Sequence, residues 1–196
     1  ISVIVPARNE QKNIASLLNV LCQQTYPKEF FEIIVVDDFS TDSTVDAVKK
    51  FSLPNLFLVQ PDTDSAHSSK KKAIEAGIQN AKGELIVTTD ADCHPSKYWL
   101  QVINDFYVKK DAAFIVAPVK FSHNQNLVQL FQSLDFLTLQ GITAASVSSQ
   151  FHTMCNGANL AFSKQSFYEV NGYSGISEKS SGDDMLLMHK MTKRWK

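Results

Sequence analysis

Three carboxylate clusters punctuate this 196-residue sequence: Asp37-Asp38, Asp90-Ala91-Asp92 and Asp183-Asp184. The first two each close a run of apolar, largely β-branched residues, Glu32 to Val36 and Glu84 to Thr88. Carboxylates at the ends of buried strands supply hard oxygen ligands for a divalent cation, which can in turn hold a diphosphate. A carboxylate within hydrogen-bond reach of a hydroxyl can also serve as a general base. Either acidic pair alone could simply cap the helix that follows; two such clusters in one α/β unit favour the metal–phosphate reading. Arg8 falls in the turn from Pro6 to Glu10, where it could meet a phosphate or a nucleobase. Lys70 opens the run Lys70-Lys71-Lys72, which is either a phosphate contact or a solvated helix face. Asn156-Gly157-Ala158-Asn159 either brings backbone close to a ligand or makes a tight turn into a strand. Cys93 and His94 follow Asp92, but adjacent side chains diverge and no second ligand pair is visible, so zinc is disfavoured.

The elements that must position these groups alternate in type. Ile1 to Val5, Glu32 to Val36, Leu56 to Val59, Glu84 to Thr88 and Ala113 to Ala117 read as short buried strands. Between them, Glu10 to Gln24, the stretch through Val45, Val48 and Phe51, Ser68 to Ala81, and Pro95 to Lys110 read as helices. Asn9 and Ser40-Thr41-Asp42 are the expected caps. This alternation predicts βαβ units, a parallel sheet with right-handed crossovers, and helices on both faces. Further on, Asn126 to Ser149 reads as a long helix, Ala158 to Phe162 as a short strand and Asp183 to Trp195 as a last helix. Ligands of open parallel sheets bind beyond the carboxyl ends of the strands. The clusters at Asp37 and Asp90 should therefore share one edge.

Several function classes are excluded. No glycine precedes Gly77, so neither a G-x-G-x-x-G turn nor a P-loop can follow the first strand, and no G-x-S-x-G elbow occurs. The formal net charge is −1, with 17 lysines and 2 arginines against 20 acids, which argues against a nucleic-acid binder. Three widely spaced cysteines, Cys22, Cys93 and Cys155, predict neither a disulfide framework nor a zinc knuckle, and point to a reducing compartment. No apolar run reaches the ~18 residues a membrane span needs. The run Leu127, Leu130, Phe131, Leu134, Phe136, Leu137 and Leu139 is broader than one helical stripe. It reads as core or, more sharply, as an interfacial helix lying on a membrane. Opening inside a strand and closing inside a helical pattern, the sequence is expected to be a single catalytic domain, 1–196, cut from a longer protein.

Taken in order, Ile1 to Glu10, Val35 to Asp42, Lys70 to Gly77, Thr89 to Asp92, Asn156 to Phe162 with Gly172-Tyr173, and Ser181 to Met185 resemble the motifs of inverting family 2 glycosyltransferases of the GT-A fold. Ser69, Glu75 and Asp183 stand where that family often has Gly, Asn and Glu, and no Q-x-x-R-W segment is seen. The resemblance implies a three-layer α/β/α sandwich around a mostly parallel sheet, with 1–92 the nucleotide-binding half and 93–196 the acceptor-side half. It implies transfer of a sugar from a nucleoside-diphosphate donor to an acceptor hydroxyl, with inversion. Asp184 would be the base and Asp183 its orienting neighbour. Asp92 would hold a manganese or magnesium ion, helped by Asp90 through the ribose or a metal-bound water. Pro6, Arg8 and Glu10 would wall the nucleotide, Asp38 would accept a hydrogen bond from the base, and Lys70 would sit near the ribose or diphosphate. Asn156, Gly157 and Asn159 would line the donor sugar and the acceptor. Uracil N3–H can donate to a carboxylate such as Asp38 whereas cytosine N3 cannot; guanine also has a donor and stays open by this argument, and with the resemblance a UDP-sugar is the expected donor. The expected acceptor is a carbohydrate or a lipid-linked molecule, with a membrane surface on the cytoplasmic side as the setting and no nucleic acid involved. A sugar nucleotidylyltransferase would want a Gly-rich first turn. A non-catalytic binding module of the same fold would have no need of the Asp183-Asp184 pair.

Overall fold

The computed structural model describes residues 1–62, 69–121, 126–149, 154–175 and 182–194, and within these the Asp183 side chain is not described. Ser68, Ser181 and Trp195 of the sequence reading lie outside the described residues. One sheet joins six strands among them: β1 (Ser2–Ala7), β2 (Glu32–Asp37), β3 (Leu56–Val59), β4 (Leu85–Thr88), β5 (Phe114–Val116) and β6 (Leu160–Ser163), in the order β3-β2-β1-β4-β6-β5. β1 to β4 pair in parallel, as the alternation predicts, while β6 is antiparallel to both β4 and β5.

The strands are apolar throughout because both faces of the sheet are covered. Val3, Val5, Ile33, Val35, Leu85 and Val87 join one core with α1 (Ile14–Cys22), α2 (Thr44–Lys49) and α4 (Trp99–Lys110). The alternate residues Ile4, Ile34, Val36 and Ile86 join a second core with α3 (Lys70–Asn80), α6 (Lys164–Glu169) and α7 (Asp183–Arg194). Gly77 sets the approach of α3, since a Cβ there would lie 2.6 Å from Ile4 Cγ2 and 3.0 Å from Val36 Cγ2. The helix can sit this close only without a side chain.

The structure departs from the sequence reading in three places. α1 begins at Ile14 rather than Glu10, with Asn13 and not Asn9 as its N-cap residue, because residues 11–13 form a turn closed by Asn13 N and Ile14 N on the Glu10 carbonyl. α4 begins at Trp99, four residues beyond Pro95. A 3-10 turn, Gly157–Asn159, delays β6 to Leu160, and the short α6 after it carries too brief a pattern to register in sequence. α5 (Leu127–Ser148) lies where the long helix was expected, started by Asn126 Oδ1 accepting from Val128 N at 3.0 Å. Its Leu and Phe residues do not enter either core: Leu127 is 82% exposed and Phe131 72%, and only Thr143 is buried. Among the described residues no helix is long and apolar enough to cross a membrane.

Candidate active site

The carboxyl ends of β1 and β2 lie level, with Ala7 paired to Asp37 and Asp38 N donating to the Ala7 carbonyl at 2.8 Å. The turns that follow are bonded to each other, and Asp42 is bonded to its own helix as well, its Oδ1 accepting from Thr44 N at 3.0 Å. Asn9 occupies the left-handed region, which its short polar side chain tolerates. Its Oδ1 accepts from Thr41 N at 2.8 Å and from Thr41 Oγ1 at 3.2 Å. Asn9 N donates to Ser40 Oγ, Glu10 N to Thr44 Oγ1 and Gln11 N to Asp42 Oδ2, at 3.0, 2.8 and 3.2 Å. Burial acts to raise the Asp42 carboxyl, but hydrogen bonds from Thr44 and Gln11 outweigh it and hold the group below its usual range. Asn9, Ser40 and Thr41, expected as helix caps, thus weld one turn to the next, while Asp42 does both, bonding the start of its own helix through Oδ1 and Gln11 N through Oδ2. Phe39 at φ 59° is strained backbone in that same weld.

Adjacent acids on β2 divide their roles. Asp37 accepts from Ser40 N and from Gln60 Nε2, each at 3.3 Å, and so ties the end of β2 to the chain beyond β3. Asp38 turns to the cleft, where Arg8 Nη1 lies 3.8 Å from its Oδ2.

That cleft, about 400 Å³ in volume, is lined by Pro6, Ala7, Arg8, Glu10, Asp38, Ser69, Lys70, Ala73, Asp90, Ala91 and Asp92. Every nucleotide and metal candidate of the sequence reading is gathered here. The N-terminus of α3 opens onto it, capped by Ser69 Oγ accepting from Lys72 N at 3.3 Å, and a helix N-terminus favours anions. Lys70 Nζ lies 2.5 Å from Asp90 Oδ1. Asp90 is therefore charge-paired, while Asp92 stands exposed at the mouth. The two carboxylates are hard donors of the kind manganese or magnesium takes. No group of three His, Cys, Asp or Glu capable of holding an ion occurs among the described residues, so an ion at Asp92 and Asp90 needs further oxygens from its ligand. His94 turns away, its Nε2 2.9 Å from Ser16 Oγ on α1.

The acceptor-side candidates are placed differently. Because β6 runs antiparallel to β4, with Leu160 opposite Thr88, the turn before β6 arrives at the same edge of the sheet as Asp90. Asn156 Oδ1 accepts from Ala158 N at 3.0 Å. Asn159 Oδ1 accepts from Trp99 Nε1 at 2.9 Å, and its Nδ2 donates to the Pro118 carbonyl at 2.8 Å. Asn159 is committed to shaping the turn through both ends of its amide and Asn156 through its oxygen, and neither residue lines the cleft. Gly157 meets Asp184 directly: a Cβ added at Gly157 would lie 2.5 Å from the carboxylate carbon of Asp184. Burial, and then the charge of Asp184, push the Cys155 thiol up to about 12. Sequence reasoning passed over Ser69, Ala7, Ala73 and Ala91 as cleft residues. The first could have been read as an N-cap, but the alanines carry no signal beyond smallness. A second pocket of about 160 Å³, between β5, the end of α5 and α7, is lined chiefly by Phe114, Val116, Val147, Met188 and Met191 and holds no charged group.

A family model described as Glycosyl transferase family 2 matches residues 2–170. The chain belongs to glycosyl transferase family 2. It is 35% identical over 104 residues to the glycosyltransferase AglE of Haloferax volcanii, covering 52% of this chain and 33% of that protein. It is 39% identical over 115 residues to the poly(ribitol-phosphate) beta-N-acetylglucosaminyltransferase TarS of Staphylococcus aureus, covering 58% and 18%. The glycosyltransferase chain thus spans a third or less of these relatives. Among solved structures, S. aureus TarS 1-349 in complex with UDP superposes with a TM-score of 0.71 at 26% identity, over 97% of this chain and 54% of that one. The mannosyltransferase PcManGT of Pyrobaculum calidifontis, in complex with GDP-Man and Mn2+, gives 0.73 at 25% identity, over 97% and 51%. The fold is GT-A: a mixed, mostly parallel six-stranded sheet among the described residues, with helices on both faces.

Proposed function

We propose that this enzyme transfers a sugar from a UDP-sugar to an acceptor hydroxyl by an inverting displacement assisted by a divalent ion. The observation that carries the reading is the cleft itself. It gathers Arg8, Asp38, Lys70, Asp90 and Asp92 at the carboxyl edge of the sheet, while Asp184 rests against Gly157 in the turn that reaches the same edge. A relative solved with UDP and another with GDP-Man and Mn2+ support the donor class and the metal.

In this reading Asp38 accepts the N3–H of uracil, between the walls formed by Pro6, Arg8 and Glu10. Lys70 and Arg8 face the diphosphate. Asp92, with Asp90 behind it, holds the ion, which when bound offsets the negative charge of the departing diphosphate. Asp184 takes the proton of the acceptor hydroxyl as its oxygen attacks the anomeric carbon and the bond to the diphosphate breaks. Asp183 orients Asp184. Residues 1–92 then form the nucleotide side and 93–196 the acceptor side. The acceptor is a carbohydrate or lipid-linked hydroxyl, and the exposed apolar residues of α5 support contact with a membrane surface. Guanine N1–H could replace uracil N3–H at Asp38, so nucleoside diphosphates compared in competition decide the base; GDP displacing UDP overturns the uridine assignment. Asp184→Asn is expected to keep UDP affinity within twofold and to lower turnover about 100- to 10,000-fold. A loss under tenfold removes Asp184 from the base role.

A further inference from the structure

Resting on the reading of Asp184 as the base, we propose that Thr88, which lies outside the nucleotide cleft, is the positioning residue that holds this carboxylate in place, acting through Gly157. Thr88 is the last residue of β4 and is 3% exposed. Its Oγ1 donates to the Gly157 carbonyl at 2.8 Å in a buried bond. Gly157 in turn offers a bare Cα whose missing side chain leaves the space that the Asp184 carboxylate fills. Any other residue at 157 would evict the carboxylate, and any shift of the 157 backbone would move the surface it rests on.

The arrangement explains why a polar side chain closes an otherwise apolar strand. Leu85, Ile86 and Val87 fill the two cores, and a valine would satisfy the strand at 88 equally well. The hydroxyl is needed because the Gly157 carbonyl sits in a short 3-10 turn and, buried without a donor, would be costly. The same strand end leads within two residues to Asp90. One strand end therefore bears on both the Asp90 side of the cleft and the seat of Asp184. Positioning of this kind matters because small displacements of a catalytic group cost large factors in rate.

Cys155 supplies a reporter independent of turnover, since the charge of Asp184 helps to keep its thiol protonated. The test is a double-mutant cycle of Thr88→Val and Asp184→Asn, with iodoacetamide alkylation of Cys155 at pH 8.5 followed peptide by peptide by mass spectrometry. Each single variant should alkylate Cys155 at least threefold faster than wild type. The double variant should be no faster than Asp184→Asn alone, and Thr88→Ser, which keeps the hydroxyl, should behave as wild type. UDP affinity by calorimetry should stay within twofold throughout, and thermal melting confirms that each variant is folded. If Thr88→Val speeds alkylation equally with and without Asp184, the residue merely tightens the fold and the proposal fails. If Thr88→Val leaves alkylation unchanged, it fails as well. Turnover of Asp184→Asn alone judges the base assignment, so the two failures are distinguishable.

Discussion

Replacing Asn9 separates the two things this residue does. Its side chain accepts two hydrogen bonds from Thr41, and its backbone stands at φ 58°. Both bonds lie at the surface, so each is taken at the low end of the usual range, about 0.5 kcal/mol. Alanine loses both and must also hold the left-handed backbone, which costs an L-residue about 1–2 kcal/mol. Asn9→Ala should therefore destabilise by about 2–3 kcal/mol. Asn9→Gly loses the same bonds and is free of the backbone strain, but it adds about 0.5–1 kcal/mol of unfolded-chain entropy. The expected loss is about 1.5–2 kcal/mol, so glycine should be the milder substitution. Urea unfolding at a common m-value measures both. Because Arg8 and Glu10 on either side line the cleft, UDP affinity should fall about 3- to 10-fold in the alanine variant, a loss of about 0.7–1.4 kcal/mol. If alanine proves no worse than glycine, the left-handed backbone is not what Asn9 accommodates. If both variants stay within about 0.5 kcal/mol of wild type, the bonds between the two turns contribute nothing and the weld is refuted.

Two further outcomes are expected. Asp92→Asn should abolish the manganese-dependent part of UDP binding, at least tenfold by calorimetry, while the melting temperature is unchanged; wild-type affinity would take Asp92 out of the ion's coordination. The Cys155 thiol, raised from an ordinary value of 9.0 to about 12, makes the folded state hold a proton that the unfolded state gives up between those values. Its contribution to stability is full below pH 9 and is lost as pH rises toward 12. The alkaline decline in stability should accordingly be shallower in Cys155→Ala, and identical slopes in urea unfolding at pH 8 to 10.5 would contradict the buried thiol.

Much of the site was legible because its signals are local. An apolar run stopped by acids marks a strand end, and parallel topology then puts such ends on one edge. Arg8, Asp38, Asp90 and Asp92 stand at such strand ends, Lys70 was placed with them only by the family resemblance, and all five meet in one cavity. The division between Asp37 and Asp38 was named only by the family resemblance, which chose Asp38, and residue type alone could not make it. Two neighbouring carboxylates look alike in sequence, and which is consumed by structure depends on Gln60, which comes from the chain beyond β3. Asn9 was misread for a similar reason. An Asn before a helical pattern is a plausible cap, but the neighbouring turn supplied Thr41 as a better donor.

The longest-range decision concerns β6. Its four residues carry no mark of direction, since strand propensity is the same whichever way a strand runs. Only the sheet settles the matter, by leaving a gap between β4 and β5 that this strand fills antiparallel. That reversal brings Gly157 to the carboxyl edge, within reach of Thr88, and lets Asp184 rest on it from a helix that follows much later in the chain. The sequence could name the acids and the strand ends, because those depend on residue type and neighbours a few positions away. The meeting of Thr88, Gly157 and Asp184 depends on contacts 69 residues apart (Thr88 to Gly157) and 27 apart (Gly157 to Asp184), which exist only once the sheet has closed.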